Sequence, residues 1–87
     1  MFIILVYDVN TKRVARVLKT SRKYLHWVQN SVLEGELSSA QLFKFKTELK
    51  KILNEKEDSV IFYKFRTKTY YDYEALGLKK GGEERIL

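Results

Sequence analysis

Residues 2–8 read Phe-Ile-Ile-Leu-Val-Tyr-Asp, six consecutive apolar or aromatic side chains stopped by a carboxylate. Successive side chains of a strand point to opposite faces, so an unbroken apolar run has both faces covered and belongs inside a sheet. At about 3.3 Å per residue such a strand spans roughly 20 Å. Asp8 therefore stands where a rigid central strand emerges, just before a segment dense in Lys and Arg. A carboxylate on so stiff a mount suits a hard metal ion, and a basic helix beside it suits phosphates.

The rest of the chain alternates helical and extended patterns. Asn10 or Thr11 supplies an N-cap, since either side chain accepts from the free amides of a first turn. Val14, Val17, Leu18 and Leu25 recur at helical spacing and predict a helix from about residue 11 to 24. Its other side carries Lys12, Arg13, Arg16, Lys19, Arg22 and Lys23. Of these, Lys12, Arg16, Lys19 and Lys23 fall on one continuous basic stripe. His26 reads as the end of that helix, where a cation suits the C-terminal dipole.

Residues 27–37 turn extended. Trp27, Val28 and Val32 suit a strand, and Gly35 suggests a bulge or bend. One long bent strand and a short hairpin about Asn30-Ser31 both satisfy this stretch. Ser38 and Gln41 have capping-box spacing and open a second helix to about residue 54, with Leu42, Phe45, Leu49, Ile52 and Leu53 as its buried stripe. Residues 59–66 form a further strand and residues 70–76 a weaker one, ahead of a charged tail with Gly77, Gly81 and Gly82.

This order predicts a single α/β (α+β) domain over residues 1–87. The most economical arrangement is a ferredoxin-like βαββαβ sandwich with its helices on one sheet face and an extra C-terminal strand. The first strand is too apolar to leave its second face open. Another copy of the chain is the natural cover, which gives a homodimer with sheets packed face to face.

Charge and composition narrow the chemistry. Seventeen Lys and Arg against 11 Asp and Glu leave a net +6, favouring a polyanionic partner such as nucleic acid. The absence of cysteine excludes disulfide scaffolds, thiol catalysis and Cys-based zinc sites. A lone His26 excludes a multi-His metal site within one chain. The N-terminal apolar run is too short to span a membrane and lacks a basic leader, so the expected location is cytoplasmic.

Asp8 is the strongest catalytic candidate, yet one carboxylate does not make a metal site. Magnesium takes octahedral oxygen ligation and keeps several waters. A two-fold axis near the end of the first strand would bring two Asp8 side chains to one ion. The competing reading is that Asp8 caps the helix. Tyr7 is either a core aromatic or a hydroxyl that positions substrate; alternation puts it opposite Asp8 and favours the core. Asn30 and Ser31 are candidates to hydrogen-bond substrate or water. Lys64, Arg66 and Lys68 extend the phosphate-contact set of the first helix. Nothing resembles a base-reading motif, so recognition should be of backbone. Aromatics in 62–73 are core and interface residues or base-stacking ones.

The order Tyr7-Asp8-Val9, a Lys/Arg-rich helix, Val28-Gln29-Asn30-Ser31-Val32-Leu33-Glu34-Gly35-Glu36-Leu37, then Asp58-Ser59-Val60 with Tyr63 resembles the CRISPR-associated protein 2 family. The resemblance implies a ferredoxin-like homodimer in which each Asp8 contributes to one magnesium or manganese site at the interface. It implies metal-dependent endonuclease activity on single-stranded RNA or double-stranded DNA; the residues themselves offer Tyr7, Lys12, Arg13, Arg16, Lys19 and Ser31 as candidate nucleic-acid contacts. It also implies a DNA-bridging role beside the CRISPR integrase in spacer acquisition, with residues 70–87 docking on the partner subunit. The alternatives are a non-catalytic adaptor in the same module and a toxin-type ribonuclease of the virulence-associated protein D kind.

Overall fold

A computed structural model describes residues 1–66 and residue 76. The elements are β1 (Phe2–Asp8), α1 (Thr11–Ser21), β2 (His26–Gln29), β3 (Val32–Glu36), α2 (Ser39–Lys50) and β4 (Ser59–Phe65). They form one sheet of order β2-β3-β1-β4 in which every neighbouring pair is antiparallel. That is the expected ferredoxin-like arrangement, with β1 inside the sheet. The expected strand over 70–76 and the docking tail lie outside the described residues, Leu76 excepted.

Alternation along β1 divides the sheet into two unlike faces. Ile3, Leu5 and Tyr7 are buried with Leu33 of β3, Val17 of α1 and Leu42, Phe45 and Leu49 of α2. Phe45 is central: its ring stacks on Tyr24 with centroids 4.7 Å apart and meets Phe62 edge-on at 5.7 Å. On the other face Ile4 and Val6 are half-buried. Opposite them on β4 stand Tyr63, Ile61 and, across from Phe2, Phe65. Ile61, Tyr63 and Phe65 are 47%, 50% and 39% exposed. A contiguous apolar face of this kind marks an interaction surface in a small protein.

Several expectations are corrected. α1 ends at Ser21, three residues early, because Tyr24 leaves the helical path to stack on Phe45. α2 ends at Lys50 rather than near residue 54, although Ile52 and Leu53 still pack against the core. His26 opens β2 opposite Glu34 instead of closing the helix. The stretch after it is a hairpin, with Asn30 at φ 40°, a left-handed conformation that Asn tolerates.

The irregularity in that hairpin falls between Trp27 and Gln29, not at Gly35. Gly35 pairs regularly with Ile3. It is small because Leu25 lies over it, and a Cβ there would meet Leu25 Cδ2 at 3.2 Å. The capping box is present in full: Gln41 N–H donates to Ser38 Oγ at 3.1 Å, and Ser38 N–H donates to Gln41 Oε1 at 2.9 Å.

Candidate active site

β1 delivers Asp8 to the edge of the open sheet face, opposite Ser59 of β4. Tyr7, one residue earlier, is buried on the helix side, so alternation turns Asp8 the other way. Asp8 is exposed and takes part in no hydrogen bond or ion pair among the described residues. It does not cap α1. Asn10 does that, its side chain accepting from Lys12 N–H at 3.0 Å. The capping explanation for Asp8 therefore falls away.

The two readings of Tyr7 resolve toward the core. Its backbone N–H donates to Ser31 O at 3.0 Å, and its hydroxyl donates to Asn30 O at 3.3 Å. Burial raises the pKa of that phenol, which stays protonated. Tyr7 thus fixes the β2–β3 turn against the end of β1 instead of presenting a hydroxyl to substrate. Ser31 is half-buried in that turn. Trp27 holds the same carbonyl, its Nε1 donating to Asn30 O at 2.9 Å.

Arg13 departs from the expected free phosphate contact. Its Nε donates to Asp58 Oδ2 at 2.6 Å, and its Nη2 reaches Asp58 Oδ1 at 3.0 Å and Glu57 Oε1 at 2.7 Å. Asp58 also accepts from the backbone N–H of Asn10 at 2.9 Å and of Asn54 at 2.8 Å. Its side chain has no solvent exposure. Hydrogen bonding from Arg13 above all, then from the Asn10 and Asn54 amides, holds the Asp58 carboxyl well below the usual carboxylate range despite its burial. The same pairing holds the Arg13 guanidinium above its ordinary value. This clamp ties the β1–α1 loop to the loop before β4 and so sets the strand end that carries Asp8. Sequence reasoning passed over Asp58 in this role, because an Asp before a strand is an unspecific signal.

The basic stripe of α1 is shorter than its spacing suggested. Lys23 pairs with Glu48 of α2, to which the Tyr24 hydroxyl also donates. Those two donors, Lys23 first, hold the Glu48 carboxyl below its ordinary value. Lys12, Arg16 and Lys19 remain exposed and outside any ion pair among the described residues.

The donor set limits what metal the chain can hold. Among the described residues no three His, Cys, Asp or Glu side chains come together as ligands. Asp58, next to the register partner of Asp8, is already saturated by donors. Among the described residues Asp8 offers a carboxylate with both oxygens free at this strand end. That fits a magnesium-type ion, which keeps most of its waters, only as half of a pair of ligands.

The sequence profile described as CRISPR associated protein Cas2 matches residues 1–72. The chain belongs to the Cas2 family. Among its Cas2 relatives, the "CRISPR-associated endoribonuclease Cas2" of Dictyoglomus turgidum is 53% identical over 87 residues, covering 100% of both chains. The protein of that name from Thermotoga maritima is 56% identical over 81 residues, 93% of each chain. A solved structure titled "Crystal structure of cas2" superposes with a TM-score of 0.84 at 48% identity, covering 100% of this chain and 98% of the other. Between the Cas2 family and the virulence-associated D toxins, membership decides for Cas2. The matched span contains β1 with Asp8, the α1 stripe and the Arg13–Asp58 clamp.

Proposed function

We propose that this chain is a metal-dependent endoribonuclease that works as a homodimer, the two Asp8 carboxylates facing one another across the two-fold axis. The observation that carries this reading is the position of Asp8: exposed, unpartnered among the described residues and on the margin of an open apolar sheet face. A second copy packed on that face would bury Ile61 and Tyr63 and bring the two strand ends together. The endoribonuclease assignment rests on the names of the Cas2 relatives.

In the proposed mechanism the two Asp8 carboxylates would hold a magnesium or manganese ion, which would supply an acidified water and charge neutralisation at the phosphodiester. Lys12, Arg16 and Lys19 hold backbone phosphates along α1, which orients the strand without reading its bases. Arg13 and Asp58 keep the β1–α1 loop in place. The same basic surface, doubled in the dimer, is suited to lie under duplex DNA beside the CRISPR integrase. This bridging role needs the α1 cations and not the metal.

The test is cleavage of a labelled single-stranded RNA by the purified chain, with magnesium and with a chelator. Cleavage that requires the metal supports the reading; no cleavage under either condition overturns it. Binding to duplex DNA in chelator adds a second readout. The α1 stripe cations Lys12, Arg16 and Lys19 give six phosphate contacts per dimer, and a log–log salt slope near −5 is expected from that surface. Alanine at Lys12, Arg16 or Lys19 should flatten that slope by about 2 in the dimer and weaken all sequences alike.

A further inference from the structure

α2 buries Leu42, Phe45 and Leu49. The stripe beside them on the same helix carries Phe43, Lys46, Thr47 and Lys50, spaced as neighbours on one helical face. Phe43 is 62% exposed. These four residues, with Met1 and Ser39 among others, line an open cleft of about 270 Å³.

Lys64 of β4 adds a third cation beside Lys46, next to the cleft. Lys46 is half-buried, with its Nζ 5.4 Å from the centroid of the Phe62 ring. Burial first, then the neighbouring charges of Lys64 and Lys50, push the Lys46 ammonium below its ordinary pKa. None of the three lysines joins an ion pair among the described residues. Glu48, the carboxylate within α2, is taken by Lys23 and Tyr24.

Crowded like charges that pair with no carboxylate among the described residues repel one another, and a bound anion relieves that repulsion. An exposed aromatic ring beside them is the other half of a single-strand site: phosphates on the cations, a base on the ring. We propose that this face of α2 is a second contact for single-stranded RNA, with Lys46, Lys50 and Lys64 on backbone phosphates and Phe43 stacking a base. It lies away from Asp8. Lys64 pairs with Ile3 and Ser59 with Asp8, five residues apart along β1, or roughly 17 Å. The site holds the strand at a distance from the reacting bond. The proposal deepens the endoribonuclease reading and rests on it.

The experiment measures fluorescence anisotropy of a labelled 20-nucleotide RNA with the full chain in chelator, so that the RNA stays intact. Lys46→Gln/Lys50→Gln should weaken binding about tenfold at low salt and flatten the salt slope by about 1.4 per site. Phe43→Ala should weaken binding at least fivefold with the slope unchanged, and Phe43→Trp should restore it. The control Lys51→Gln/Lys56→Gln makes the same charge change elsewhere and should cost less than twofold. The α2 contact is overturned alone if wild type binds and the cluster variants bind equally well, or if the control costs as much. It is also overturned if an acidic peptide displaces RNA from wild type and Phe43→Ala alike. A wild type that binds no RNA overturns both this proposal and the endoribonuclease reading.

Discussion

Asp8→Asn is expected to lower the rate of metal-dependent RNA cleavage at least ~100-fold, a loss of the size seen when a supporting group of a metal or oxyanion site is removed. Asn keeps the shape of the side chain but not its charge, and a divalent ion between two neutral amides is poorly held. The fold should be untouched. Asp8 is exposed and makes no hydrogen bond or ion pair among the described residues, so the melting temperature should move by less than about 3 °C. A loss of activity together with a large loss of stability would show Asp8 to be a structural residue. The same variant separates catalysis from scaffolding. Spacer integration that survives Asp8→Asn would mean that bridging uses the α1 surface alone; integration lost with cleavage would join the two.

Asp58→Ala should give the largest loss of stability, lowering the melting temperature by ~10 °C or more. The substitution leaves Arg13 without its main partner and strips acceptors from the Asn10 and Asn54 amides in one step. Breaking a buried pair from one side is costly because the other charge stays behind. Its pH dependence has a definite sign. The folded-state pKa of Asp58 lies below that of an unfolded Asp, chiefly through Arg13. Its contribution is therefore fully present above the unfolded value near ~3.9 and is lost as the pH falls below it. Thermal melts of wild type and Asp58→Asn should differ most at neutral pH and converge as the pH is lowered from about 4. A gap that widens on acidification would contradict the clamp.

What could be read from the sequence was local or periodic. The apolar run of β1 placed it inside the sheet, and strict alternation put Tyr7 in the core and Asp8 on the other face. Ser38 and Gln41 announced the start of α2 by their spacing. The misreadings came from contacts between residues far apart in the chain. Arg13 looked like a free cation until it met Asp58, 45 positions away. Lys23 likewise left the basic stripe for Glu48, 25 positions on. α1 stopped early because Tyr24 stacks on Phe45, and Gly35 looked like a bulge because nothing local signals Leu25 above it. The candidate site was legible as a strand-end carboxylate beside a basic helix. The clamp that holds it was not, since tertiary pairing has no local spacing.

The central claim is that the metal site belongs to two chains and not to one. Its most direct test is the stoichiometry of manganese binding, followed by electron paramagnetic resonance on the purified chain. One ion per two chains, absent in Asp8→Asn, is the predicted result. One ion per chain, or binding that Asp8→Asn leaves unchanged, would contradict it.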